Sequence, residues 1–290
     1  TQSPQNFYSK PSSDLSQLSS WSLTSDGTGP SPTSFGYNGQ YFTIQNTQTL
    51  TNSLTIGGNV SRVIVNDGIT LNVSQPLTGT IRVGSNSVVN INVDYQPIFE
   101  TIAVNSTVNF NTYSNVPVAN YGNLVLNGSG LKNVSAGTLQ IQGNLTLASG
   151  VGLKGAPSNA TTLVVTGDVN FGSAVAQVAS DNRVVLQFTN GLHNINTSSD
   201  QFLNKVTANT GATVTFNNLS GSPKSLNLGS LNGGGLDLAN GSTFVVGSNN
   251  LVLTDKSTVN PSNTTGEISI SNGSIQFTST ANNDANFYFA

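Results

Sequence analysis

The run Thr80–Val93, TIRV-GSNS-VVNINV, decides the fold class. Apolar and polar residues alternate before and after the central break, the period-2 signature of strands with one buried face. The break itself, Gly84–Ser87, is short and polar. Glycine and asparagine suit it because they tolerate the positive φ that a sharp corner needs. The stretch therefore reads as a strand, a tight corner and a second strand.

The same grammar recurs along the chain. LVL-NGSG-LKNV breaks at Asn127–Gly130, LQI-QGN-LTLAS at Gln142–Asn144 and FVV-GSNN-LVLT at Gly247–Asn250. Similar strand starts appear at Val63, Thr80, Thr101, Asn123, Thr138, Thr162, Arg183, Lys205, Leu226, Phe244 and Glu267. No stretch carries helical periodicity. An antiparallel sandwich also shows turn signals, roughly every 8–12 residues. The larger unit of about twenty residues, with corners that look alike, favours an all-β parallel solenoid. The alternation points Val63, Val65, Ile81, Val83, Ile102, Val104, Leu124, Leu126, Leu139, Ile141, Leu163 and Val165 inward.

The ends differ from the middle. Phe7, Tyr8, Trp21, Phe35, Tyr37, Tyr41 and Phe42 crowd the opening, with Gly27, Gly29, Pro30, Pro32 and Gly36 among them. An open solenoid end exposes core and strand edge, so an atypical terminal unit is expected as a cap. Residues 1–57 are expected to form that cap and residues 58–290 one continuous run of rungs. The close, Asn286-Phe287-Tyr288-Phe289-Ala290, is apolar and abrupt, which suggests a piece of a longer protein.

Composition narrows the function. Charged residues make up 7% of the 290, against roughly 25% in an average soluble protein. Asn, Ser, Thr and Gly take their place, while Val, Leu and Ile recur often enough for folding. The net charge of −3 is spread without blocks. No basic stripe exists to release counterions from nucleic acid. No apolar run reaches the roughly 18 residues of a membrane span. There is no Cys, which excludes disulfides and thiolate metal sites, and no Met or leader-like opening, which suits a trimmed, exported chain.

Catalysis on a solenoid needs ionisable groups at matching offsets in neighbouring rungs, such as paired carboxylates roughly 5–10 Å apart for glycoside hydrolysis. Asp67, Asp94, Glu100, Asp168, Asp181, Asp200, Asp237, Asp255, Glu267 and Asp284 fall mostly singly, at turns or strand edges. Asp181, Arg183 and His193 form the densest group; they read as a turn acid, an arginine covering a strand and a surface histidine. One histidine supports no His-rich metal site. Asn66-Asp67-Gly68 and Gly167-Asp168 are acidic turns of the kind that can hold calcium. The calcium-binding nonapeptide repeat is nevertheless reduced to one fragment, Gly233–Asp237. The Thr-x-Thr array of an ice-binding face is represented by Thr213-Val214-Thr215 alone. Asn-x-Ser/Thr triplets, as at Asn59, Asn105, Asn144 and Asn263, arise by chance in such a composition. Tyr37 and Tyr41 are expected to pack over the first rung. No catalytic, cofactor-binding or metal-binding residue is assigned, and no cofactor is expected.

Three segments carry a resemblance. They are Phe7–Asn46, Val60–Val73 and Tyr121–Gly150, with Trp21, the Asp26–Gly29 turn, Pro32, Phe35 and the strands Tyr41–Ile44, Val63–Gly68 and Tyr121–Leu126 as matching elements. Together they resemble a module of the very large repetitive surface proteins of Bacteroidota, which are exported by the type IX secretion system and include gliding-motility proteins and adhesins. The likeness covers residues 7–155; beyond that only generic rungs match, and no C-terminal sorting domain is recognisable after Glu267. The resemblance implies a non-catalytic, extracellular, cell-surface adhesin or structural module. Its partners would be the export machinery and cell-surface, matrix or polysaccharide contacts. Two other readings stay open: a carbohydrate-active β-helix enzyme with a degenerate site, and a filament subunit that self-associates through solenoid ends.

Overall fold

The computed structural model describes residues 4–112, 115–156, 161–176, 183–229, 234–254, 257–261, 266–278 and 286–287. It is an all-β parallel solenoid. Among the described residues the only helical element is one 3-10 turn, Leu18–Ser20. Among the described residues no helix is long and apolar enough to cross a membrane. The chain divides into two compact units, residues 1–114 with 119–124, and residues 115–118 with 125–290.

In the first unit two main sheets carry the rungs, with a short third side where Leu54–Thr55 pairs in parallel with Leu77–Thr78. Sheet one stacks Gln5–Ser9, Gln40–Ile44, Arg62–Val65, Thr80–Val83 and Ile98–Ile102 in parallel order. Sheet two stacks Gln48–Leu50, Thr70–Val73, Val88–Ile91 and Thr107–Phe110. In sheet one Tyr41 lies beside Arg62, Arg62 beside Thr80 and Thr80 beside Ile98, so each rung takes a similar length of chain. The quoted corner works as its residues suggest. Asn86 takes φ 56°, and the Asp67 carboxylate accepts the Ser85 N–H at 2.7 Å. Gly84 is needed there because a Cβ would sit 2.5 Å from that carboxylate.

Parallel pairing begins at Gln5 in sheet one and at Gln48 in sheet two. At the same end Trp21–Ser22 pairs antiparallel with the end of Gln5–Ser9. Trp21 is fully buried, donates its indole N–H to Leu15 O at 2.9 Å and meets Phe42 edge-on at 5.1 Å. Phe7 stacks on the same Phe42 at 5.6 Å. The aromatic opening thus closes the hydrophobic interior with rings.

The second unit has three-sided rungs. Lys205–Ala208, Ala212–Asn218 and Ser225–Leu228 form three sides of one rung, each in a different sheet. The sheet containing Gly137–Ile141 continues through Thr161–Val165, Val184–Phe188, Lys205–Ala208, Gly234–Leu238 and Ser257–Pro261, always parallel. Its rungs differ in length: the step from Val185 to Lys205 is short, and the step from Lys205 to Gly235 is half as long again. The recurring strand starts of the sequence are therefore not equivalent positions. Lys205, Leu226 and Phe244 lie in three different sheets, because strands and corners of similar length separate successive sides as well as successive rungs.

Register stacks like on like inside. Leu139, Leu163, Leu186, Val206 and Leu236 form one buried column, and Ile141, Val165, Phe188, Ala208 and Leu238 the next. Burying each large aliphatic side chain contributes about 1.5–3 kcal/mol. All the residues predicted to point inward are buried except Val104, which is 57% exposed. The strand ends at Ile102 and the chain turns at Ala103–Ser106, where the Ser106 N–H donates to Ala103 O at 3.0 Å. Alternation stops with the strand, so Val104 points to solvent.

Candidate functional site

Outside the core, the same register builds ladders of polar side chains. On the outer surface of sheet two, Asn109 Nδ2 donates to Asn90 Oδ1 at 2.5 Å and Asn90 Nδ2 to Asn72 Oδ1 at 2.7 Å. Asn72 Nδ2 then donates to Thr49 Oγ1 at 3.2 Å. Parallel in-register pairing requires this arrangement, since equivalent side chains lie about 4.8 Å apart. Asn111 to Asn92 (2.7 Å) repeats it alongside, and Asn105 to Asn86 (2.8 Å) repeats it at the corner. The second unit has its own ladder, Asn217 to Asn196 at 3.2 Å and Asn196 to Asn170 at 2.7 Å.

A cleft of about 340 Å³ opens where the cap segment Ser12–Asp14 passes the edge strand of sheet two, with Thr47, Gln48, Thr49 and Thr51 on its other wall. Gln48 is buried and donates Nε2 to Lys10 O at 2.7 Å, tying cap to strand. Asp14 accepts the Ser16 N–H at 3.0 Å, the Ser16 hydroxyl at 2.8 Å and Asn52 Nδ2 at 2.8 Å. Its carboxyl is held below the usual range, chiefly by the Ser16 N–H.

Sheet one carries charge instead. Glu100 accepts from Arg62 Nη1 at 2.8 Å and from Arg82 Nε at 2.8 Å, spanning three rungs. Arg62 is buried to 10% side-chain exposure, lies 5.2 Å from the Tyr41 ring centroid and donates to Val60 O at 3.1 Å. A bulge between Phe99 and Thr101 makes the meeting possible. It places Glu100 outside as an extra residue and returns Ile102 to the interior, which strict alternation would have prevented. Hydrogen bonds from Arg82, together with the Arg62 charge, lower the Glu100 pKa. Such a carboxylate is a poor proton donor.

Two further predicted acids, Asp168 and Asp200, tie neighbouring rungs together, while Asp181, Asp255 and Asp284 lie outside the described residues. Asp168 Oδ1 accepts the Asn194 N–H at 2.8 Å, and Asp200 Oδ1 the Ser225 N–H at 2.8 Å. Asp26 accepts from Thr24 Oγ1, Thr28 N and Thr28 Oγ1, and the Thr24 hydroxyl leads in lowering its pKa to about 2. Asp237 pairs with Lys205 Nζ at 2.9 Å across a rung, so the fragment Gly233–Asp237 ends in a cross-rung ion pair, Gly233 lying outside the described residues. No group of three His, Cys, Asp or Glu able to hold a metal occurs among the described residues.

Two expectations are corrected. His193 is not a surface residue: it is 2% exposed, with Nδ1 3.0 Å from Gly167 O, Nε2 2.8 Å from Thr189 O, and its ring against Phe188. The period-2 side of the strand Gly191–Thr197 turns it inward; Asp181 lies outside the described residues. Tyr37 and Tyr41 do not cover the first rung. Tyr37 is 45% exposed, and Tyr41 lies outward beneath Arg62, while Phe35 packs on Phe42 at 5.3 Å instead.

No protein-family model, no curated protein and no solved structure matches the chain. The polar ladders, the cleft and the ionic cluster stand on their own geometry. Lys132, fully buried on Gly130–Val134, had no sequence signal beyond an apolar-register position in that strand.

Proposed function

We propose that the chain is a non-catalytic module of an extracellular cell-surface protein, adhesive or structural, that acts by repeated weak contact. Export by a type IX system and a place among the repetitive surface proteins of Bacteroidota belong to the same proposal, on the strength of the sequence resemblance. The observation that carries the reading is the outer amide ladder Asn72–Asn90–Asn109. It offers a repeating row of donors and acceptors on a rigid support, and each amide is already oriented by its neighbour. Pre-ordered groups lose little side-chain entropy on contact. A single contact of this kind is weak, and many copies on one protein give useful avidity.

The acids support the same reading, since Asp67, Asp168 and Asp200 each accept a backbone N–H from a neighbouring rung and Glu100 accepts from two arginines. Catalysis requires groups with matched, perturbed proton affinities in one cleft. The test is direct. Beads coated with the purified chain should adhere to polysaccharide-coated glass, while the same chain releases no reducing or unsaturated ends from those polymers. Turnover that disappears on mutating one acid would refute the proposal.

A further inference from the structure

We infer that the cleft between Ser12–Asp14 and the strand Gln48–Leu50, continued by the ladder Thr49–Asn72–Asn90–Asn109, binds a neutral polysaccharide chain. This deepens the contact reading above and rests on it. A sugar ring would occupy the cleft, and the following residues of the polymer would lie along the amides.

The ladder has a direction. Each amide N–H donates toward the next residue nearer the cleft, and the last acceptor is the Thr49 hydroxyl. A hydroxyl that accepts a hydrogen bond becomes a better donor, because bonds in a chain polarise one another. Among the described residues the Thr49 proton has no protein acceptor, and Thr49 lines the cleft. Thr47 repeats the arrangement: its Oγ1 accepts the Thr70 N–H at 3.3 Å and its own proton is likewise unclaimed among the described residues. On the opposite wall Asp14 presents an ionised carboxylate. The cleft therefore offers hydroxyl donors on one side and a strong acceptor on the other.

A sugar hydroxyl both donates and accepts, so a polyhydroxylated ring can engage both walls. An acidic sugar meets the Asp14 charge without a cation among the lining residues to offset it. The volume, about 340 Å³, lies at the small end of ligand sites, roughly 300–1,000 Å³, and suits one or two rings better than a folded peptide. Gln48 sharpens the case: it is 6% exposed and its Oε1 has no hydrogen-bond partner, so this wall is not optimised for stability alone.

The experiment is calorimetric titration of the full chain with dextran, laminarin and yeast mannan as neutral probes, and alginate and heparin as anionic ones. At least one neutral polymer should bind and the anionic ones should not. Thr49→Val, which removes only the hydroxyl, and Asp14→Asn should each weaken binding about tenfold, the cost of one lost hydrogen bond in such a site. Arg82→Gln, on the other sheet, should leave binding unchanged, and all three variants should melt cooperatively. The inference is overturned if no neutral polymer binds, if alginate or heparin binds more tightly, or if Thr49→Val binds as the wild type does. Bead adhesion measured in parallel separates the two claims. Adhesion that survives without neutral-polymer binding removes the cleft site and leaves the contact reading standing.

Discussion

The two outer faces of the first unit solve one problem with different chemistry. Parallel rungs must be held in register on their solvent side as well as in the core. Sheet two does this with amides, Asn72, Asn90 and Asn109, each bonded to the rung before. Sheet one does it with charge, Glu100 clamped between Arg62 and Arg82. An amide ladder can be extended rung after rung, because every asparagine is both donor and acceptor. An ionic clamp closes on itself once its charges are matched. The repeating face is the one suited to repeated contact, and the clamped face to stability.

Both faces depend on the aliphatic columns beneath them, and the largest expected effect comes from breaking those. Leu139→Asp or Leu126→Asp puts an unpaired charge into a fully buried position, at a cost of several kcal/mol. Either variant should lose cooperative thermal unfolding and strand circular dichroism. A wild-type melting curve would show that the columns do not face inward.

Next in size is the clamp. Glu100→Gln leaves Arg62, largely buried, without its carboxylate, and should lower stability by about 1–3 kcal/mol. The folded-state pKa of Glu100 is depressed. Its contribution is therefore present above the unfolded-state value and is lost as pH falls through the lower folded value. Urea denaturation of wild type should weaken across the acidic carboxylate range, and the slope should be shallower in Glu100→Gln. Identical pH profiles would mean that the clamp contributes nothing.

Smaller again is the ladder. Asn90→Ala removes one donor and one acceptor from a half-exposed chain, a loss of about 0.5–1.5 kcal/mol. That change should be insensitive to pH between about 4 and 8, since no ladder member titrates in this range. A pH-dependent difference would place charge where the structure has amides.

Much of this was legible in the sequence. Period-2 alternation gave the inward set from Val63 to Val165, and Gly and Asn marked the corners. Val104 escaped because alternation carries no sign of where a strand stops, and the chain turns at Ala103–Ser106. The ionic clamp was invisible for a related reason. Arg62 and Arg82 lie far from Glu100 in the chain and meet it only through rung register and one bulge. Neither rung length nor an inserted residue leaves a mark in composition. His193 likewise reads as polar by residue type, yet its strand position turns it inside. The polar ladders lay between these cases. The sequence shows that asparagines are plentiful, and register alone decided which of them stack.

If the chain works through its repeating amide face by multivalent contact, the most direct measurement is bead retention under flow on polysaccharide-coated glass, taken against the density of immobilised chain. Wild type should show retention that rises more steeply than in proportion to density. A variant with Asn72, Asn90 and Asn109 all changed to Ala, still folded by circular dichroism, should lose that steep rise. Retention that is linear in density, or equal in the triple variant, would contradict the account.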